Sequence, residues 1–537
     1  MPNDLYPPLP SEQMEFLRTT TNKPLLALNL LAAAVYFFVL AFWFERGNLV
    51  LYLVLMAGEV FHLWQVFGYI HTVWQTNYPI AAEKKCFLPV DVFITVAGEP
   101  EDIVENTIRA ALCMRYPQFR VFVLNDGKVA KKENWKAIET LATRLGAVCI
   151  TRTEASGAKA GNINHALKRT SSPLVAVFDA DQAPLPDFLE KAVDYFADPK
   201  MGFVQTPQYY QNHGLNETTK GSWEQQELFF GPICKGKNRL NAVFMCGTNM
   251  VIRRKALEEV GGMSEDNIAE DFLTSLFIHK KGWRSVYIPQ ILACGLAPED
   301  FLSYHNQQFR WARGSLEVVF RYNPLFSKGL SWGQKIQYLA SASYYLSGAV
   351  VLSNALLPLI FFYTGLIPLN ISTMSLAAIF LPYIFLTVVV LRLTSNSAYT
   401  FKALSFSMSS FPIHIRAIWA VALRKKTAFA VTAKKKVQGN FLSLIIPHLV
   451  YIALATIGIV IAISRQGLDA EVLTNSAWAA FNISIFIPFI NAALPRATTS
   501  PDSKVISVLP AKNADTPVLV SGQQALEVKN GQNSRTN

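Results

Sequence analysis

The sequence is poor in charge for its length: of 537 residues, 16% are Asp, Glu, Lys or Arg, against 51% hydrophobic. That balance excludes an ordinary water-soluble enzyme, and the charge that remains excludes a bare bundle of membrane helices. Cysteine is scarce too. Cys86, Cys113, Cys149, Cys234, Cys246 and Cys294 form no CxxC pair, which excludes a disulfide framework or structural zinc and fits a reducing cytosol. His213, His279 and His305 show no ligand spacing and, like Trp223 and Trp283, read as surface or core residues. The small-residue stretch Gly157–Asn162 lacks the GxxxxGK spacing, which excludes a Walker loop there. The opening MPNDLYPPLP lacks a basic region and a cleavage site, so the first apolar run is expected to be a retained span. The net charge of +11 does not gather into one basic face; it argues for membrane orientation and against nucleic acid.

What is there falls into blocks. Pro24 to Phe44 and Leu49 to Ile70 each approach the ~20 residues a helix needs to cross hydrocarbon, and form a hairpin around Glu45–Asn48. Apolar runs return at Ser343–Leu366, Met374–Leu393, Phe441–Ile463 and Ala477–Leu494, giving about six spans. Lys84, Lys85, Arg424, Lys425, Lys426 and Lys434 to Lys436 share one side, which should be cytoplasmic. The expected division is an N-terminal segment 1–23, a transmembrane hairpin 24–70, a cytoplasmic domain 81–322, a membrane region 323–495 and a disordered tail 496–537. Pro298–Phe320 and Phe401–Ala422 read as interfacial amphipathic helices. Asn354, Asn482 and Asn491 within the spans fit either a polar pore or helix–helix hydrogen bonding.

In the 81–322 block, short apolar strands alternate with polar helical stretches: VDVFITVAG, RVFVLNDG, GAVCITR, PLVAVFDAD. Such alternation predicts an α/β, Rossmann-like domain with a largely parallel sheet and ligands at the carboxyl ends of its strands. Asp126 closes the second strand, and Asp179 and Asp181 the fourth. The Asp179-Ala180-Asp181 triplet suits a hard divalent cation, which takes one or two carboxylates plus substrate phosphates. Gly157-Ala158-Lys159-Ala160-Gly161 reads as a loop of small residues that puts Lys159 near a phosphate, ahead of a helix beginning near Asn162.

Asp126, the Asp179/Asp181 pair, Asp271 and the QxxRW pattern of Gln307, Arg310 and Trp311 occur in the order of the processive family 2 glycosyltransferases. The sequence resembles cellulose, curdlan, chitin and hyaluronan synthases. Phe429-Ala430-Val431-Thr432-Ala433-Lys434 looks like the FxVTxK gating loop of bacterial cellulose synthases, within 425–440. The resemblance implies a glycosyltransferase-A-type domain inserted in a helical membrane bundle, an inner-membrane location, and synthesis of a β-glucan from UDP-glucose with Mg²⁺ or Mn²⁺. By the same resemblance, Thr95, Glu99, Asp126, Lys159, Asp179, Gln307 and Arg310 contact the donor, Asp179 and Asp181 hold the metal, and Asp271 is the general base. Glu270, Cys246 and Trp311 meet the acceptor, while Phe429, Val431, Thr432 and Lys434 gate the site. Expected partners are the growing polysaccharide, membrane lipid and an accessory export subunit, with no nucleic acid.

Two departures bear on the sugar and its linkage: Ala269 stands where cellulose synthases usually carry threonine, and Gln182 where they often carry histidine. A curdlan or mixed-linkage product therefore stays open, as does a transferase acting on a lipid acceptor. An inactive transporter-like protein and a glycoside hydrolase fit the combined motifs less well. About 40 residues follow the last span, too few for a compact domain, so no PilZ regulatory domain is expected.

Overall fold

A computed structural model of the chain describes residues 21–78, 82, 84–396, 399–424 and 441–494. The tail after 495 and the 425–440 loop, with Phe429, Val431, Thr432 and Lys434, lie outside the described residues.

A seven-stranded sheet forms the centre of the water-facing part. Its strands are β1 (Val90–Val96), β2 (Phe119–Asn125), β3 (Val148–Thr151), β4 (Leu174–Asp179), β5 (Met201–Gln205), β6 (Met250–Arg253) and β7 (Arg284–Tyr287). They lie in the order β7-β5-β6-β4-β1-β2-β3. All run parallel except β6, which runs against β4 and β5. The largely parallel sheet expected from the alternating strands is therefore present, with one reversed strand. Every residue of β1 is buried, because helices cover both faces. The period of two shows in the packing: Phe93, Phe122, Val175 and Val177 enter one core, and Val92, Ile94, Val123 and Ala176 the other.

At the amino edge of the sheet Asp91 is wholly buried and fully engaged. Its carboxylate accepts from Ser172 N (2.9 Å) and Oγ (2.8 Å), Arg120 Nη2 (3.1 Å) and Arg254 Nη2 (3.1 Å).

Six described helices are long and apolar enough to cross a membrane: Lys23–Phe42, Leu49–Val73, Trp332–Thr364, Thr373–Thr394, Leu442–Gln466 and Ala470–Ala493. The third begins at Trp332, ahead of the expected Ser343, because a reciprocal cap starts it early. Ser331 Oγ accepts from Gln334 N (3.2 Å), and the Gln334 side chain accepts from Ser331 N (2.9 Å). Of the asparagines in the spans, Asn482 makes a helix–helix bond, donating to Tyr451 Oη at 3.0 Å, while the buried Asn354 Oδ1 has no partner.

Domain and spans are joined by polar and apolar contacts. Buried Lys237 donates to Gln337 Oε1 (3.1 Å) and Ser341 Oγ (2.9 Å) at the start of the third span, and Arg239 Nη2 donates to His71 O (2.8 Å). Helix Phe301–Glu317 packs on helix Phe411–Ala422 through Ala312, Leu316 and Ala417, with the Arg416 guanidinium 5.0 Å from the Phe309 ring centre. Within the expected segment Pro298–Phe320 the helix runs Phe301–Glu317, and the expected segment Phe401–Ala422 is split into two helices, Phe401–Ser409 and Phe411–Ala422.

Candidate active site

The carboxyl ends of the strands open on a cavity of about 500 Å³. Parallel strands end together on this edge, so residues far apart in sequence meet there. Thr95 comes from β1, Asp126 follows β2, Arg152 follows β3, and Asp179 and Asp181 close β4; all line the cavity. Glu99, Lys159, Cys246, Glu270, Asp271, Arg310 and Trp311, also expected at the site, line it as well.

Arg152 was not foreseen. Its guanidinium grips Asp126 at both oxygens, Nε to Oδ1 at 2.6 Å and Nη2 to Oδ2 at 2.7 Å, and also donates to the carbonyls of Ser156 and Ala158 (2.8 Å for the latter). It thereby ties the second strand's tip to the loop before Lys159. A cation directly after the third strand, level with an acid directly after the second, is a signal that sequence spacing contains.

The helix expected to begin near Asn162 instead runs Ala158–Leu167, so Lys159 belongs to its first turn. Gly157, at φ +57, and Ala158, at φ +43, reverse the chain, and right-handed helix follows directly. The Lys159 ammonium pairs with Asp179 and donates to Gly247 O at 2.8 Å. Its pKa is raised: burial opposes the charge, but Asp179, Glu270 and Asp271 together outweigh burial. Asp179 is further held by Thr95 Oγ1, which donates at 3.2 Å, and its own N–H donates to Thr248 Oγ1 at 2.9 Å.

Gly247 lets these groups crowd together. At φ +82, a β-carbon there would lie 3.1 Å from Asp271 Oδ2 and 3.6 Å from Lys159 Nζ. Asp271 stands in the first turn of helix Glu270–Lys280, with Oδ1 accepting from Phe272 N at 2.7 Å. It is half-buried and lines the cavity. Burial first, and the neighbouring Glu270 second, push its carboxyl up to about 7. Glu270 is also raised, by burial above all. Burial drives the Cys246 thiol well above its ordinary value, which removes it as a nucleophile, and Gln208 Nε2 holds its carbonyl at 2.8 Å.

Two residues sit elsewhere than the sequence suggested. Gln307 is off the cavity wall, meeting the Tyr210 hydroxyl behind it. Gln182 is buried behind the Asp179–Asp181 turn, where its Oε1 accepts from Asn249 Nδ2 at 2.9 Å and its amide lies over Gly295. Of the two departures, only Ala269 faces the cavity.

Among the described residues no three His, Cys, Asp or Glu side chains converge as a cage for a metal ion. The donor set still fits a hard divalent cation that shares its coordination with a ligand, since Asp179 and Asp181 offer only oxygens. The cavity is lined by six carboxyl groups, Glu99, Asp126, Asp179, Asp181, Glu270 and Asp271, against three cations, Arg152, Lys159 and Arg310. That surplus of negative charge suits a cation more than a further basic side chain.

A Rossmann-like sheet with acidic strand tips, set between membrane-crossing helices, defines a glycosyltransferase-A-type domain carried on a membrane bundle. The fold is shared with a mannosyltransferase from Pyrobaculum calidifontis solved with GDP-Man and Mn²⁺, at a TM-score of 0.50 and 18% identity over 70% of this chain and 100% of that one. Residues 89–314 match the model of the glycosyltransferase-like family 2, and residues 257–396 match that of cellulose synthase. The chain is a relative of bacterial cellulose synthase catalytic subunits. It is 34% identical to the UDP-forming subunit of Pseudomonas fluorescens over 62% of this chain and 45% of that one. For Xanthomonas axonopodis pv. citri the identity is 36% over 53% and 39%, and for Komagataeibacter sucrofermentans 28% over 84% and 62%. The chain thus spans less than two thirds of the length of each of these relatives.

Proposed function

We propose that the chain is a processive, inverting glycosyltransferase that polymerises a β-glucan, cellulose before curdlan, from UDP-glucose and passes it through its own membrane helices. The observation that carries this reading is a wall shared by two compartments. Helix Phe301–Glu317 presents Arg310 and Trp311 to the cavity, and the same helix packs on Phe411–Ala422 beside the spans. A sugar leaving the acidic floor therefore meets Trp311, an aromatic face suited to stacking, on its way toward the bundle. The catalytic domain lies on the cytoplasmic side of the inner membrane, where the Lys and Arg residues flanking the spans also lie.

In the reaction, Asp271 takes the proton of the acceptor hydroxyl as that oxygen bonds to the anomeric carbon of glucose. The bond from that carbon to the diphosphate oxygen breaks, its electron pair leaves with UDP, and the α-linked donor yields a β-linkage. A carboxyl held near 7 is matched to this task, because it is ionised at working pH yet basic enough to accept the proton. Lys159 and Arg310 offset the charge of the leaving diphosphate. Asp179 and Asp181 would hold Mg²⁺ or Mn²⁺, which when bound supplies Lewis-acid charge beside the same group. Thr95, Glu99 and the Asp126–Arg152 pair bind the uridine half.

The test is incubation of detergent-purified protein with Mg²⁺ and radiolabelled UDP-glucose, followed by linkage-specific digestion. Insoluble product cut by a β-1,4-glucanase supports cellulose, and sensitivity to a β-1,3-glucanase moves the product to curdlan. A short lipid-linked product contradicts processive synthesis.

A further inference from the structure

Helix Glu270–Lys280, which carries Asp271, begins without a side-chain cap of its own: its cap residue is Ala269, where the resemblance expects threonine. The backbone leading into it is instead held by a side chain two residues upstream, which also reaches another helix. Asn267 is buried, and its Oδ1 accepts from Ala269 N at 2.7 Å while its Nδ2 donates to Gly314 O at 3.1 Å. Gly314 stands one turn after Arg310 and Trp311 on helix Phe301–Glu317. A β-carbon at Gly314 would lie 2.5 Å from Ala269 Cβ, 2.8 Å from Ala269 N and 3.0 Å from Asn267 Oδ1. The two helices therefore touch backbone to side chain where neither has a side chain to spare. Immediately beyond, Val318–Tyr322 widens into a π-turn, a distortion that frees backbone groups and is frequent at functional sites.

We propose that Asn267 is a positioning residue: by clamping Ala269 to Gly314 it registers the Glu270–Asp271 turn against Arg310 and Trp311, so that base, leaving-group cation and acceptor platform move as one unit. The proposal rests on the reading of Asp271 as the base. The amide is suited to this because it accepts and donates at once, toward an N–H on one helix and a carbonyl on the other. The small residues at 269 and 314 let the helices approach closely enough for one side chain to span them. Small displacements matter here, since misplacing a reacting group by about 1 Å can cost on the order of 10²-fold in rate.

The experiment is Asn267→Ala in the full chain, reconstituted in lipid nanodiscs and assayed with UDP-glucose and Mg²⁺. The expected result is a kcat lowered about 10- to 100-fold with the KM for UDP-glucose within about twofold of wild type. Gly314→Ala, which forces the helices apart, should give the same split. Should Asn267→Ala fail to fold, Asn267→Asp carries the test, because it keeps the acceptor toward Ala269 and removes the donor toward Gly314. An unchanged kcat, or a rise in KM matching the fall in kcat/KM, overturns the proposal. Hydrogen exchange over 264–274 and 310–318 separates this from the functional reading. If wild type makes no polymer from any UDP-sugar, that reading fails alone, and faster exchange in both segments of Asn267→Ala still supports the clamp. Unchanged exchange in the two segments overturns it.

Discussion

The two edges of the central sheet both bury acid, and they treat it in opposite ways. At the amino edge the carboxylate of Asp91 is wholly buried and met by Arg120, Arg254 and Ser172. At the carboxyl edge six carboxyl groups and only three cations line a cavity of about 500 Å³, and Asp271 is left with its pKa raised to about 7. The first arrangement is what folding alone selects, because a buried charge is tolerated when it is paired and hydrogen-bonded. The second is costly for folding, and a ligand that brings positive charge and a leaving group makes use of it. Asp126, gripped by Arg152, has the amino-edge arrangement, yet it stands on the carboxyl edge and lines the cavity.

The largest effect expected from this contrast is on the metal-dependent step. Chelation of divalent cations, or Asp179→Asn with Asp181→Asn, should lower polymer formation by at least about 10³-fold, the scale of several kcal/mol of transition-state stabilisation. Restoration by Mg²⁺ or Mn²⁺ in wild type but not in the double variant checks it. Next, Asp91→Ala leaves Arg254 buried without its partner and should cost about 3–5 kcal/mol of stability, read as earlier thermal unfolding. The activity of the protein that remains folded should be unchanged, and a loss there breaks the separation of the two edges.

The third effect is on pH dependence. With Asp271 held at about 7, kcat should fall about tenfold per unit as pH drops below that value, and level off above it. The smallest effect concerns stability. Because the folded carboxyl binds its proton more tightly than the unfolded one, folding loses stability as pH rises from the ordinary carboxylate range to about 7. Asp271→Asn should therefore raise the thermal midpoint, by more at pH 8 than at pH 5.

The same contrast explains what was legible beforehand. Strand tips are local features, so Asp126, Asp179 and Asp181 could be placed on one edge from alternating runs alone, and length located six membrane-crossing helices. Pairings between tips were harder. Arg152 carries no motif signature of its own, and its place beside Asp126 follows only once the second and third strands are set in register. Lys159 moved from loop to helix because Gly157 turns the chain earlier than the composition suggested. Gln307 and Gln182 depend on which way a side chain points, and spacing does not reveal that. The clamp of Asn267 on Gly314 joins residues 47 apart through a contact no motif encodes.

The most direct test of the central claim pairs two readings on one variant, Asp271→Asn in the reconstituted protein: equilibrium binding of UDP-glucose with Mg²⁺, and incorporation of label into polymer. The account predicts binding close to wild type with polymer formation lowered by about 10²- to 10⁴-fold, the range that general-base catalysis supplies. Polymer formed at a rate near wild type would contradict it.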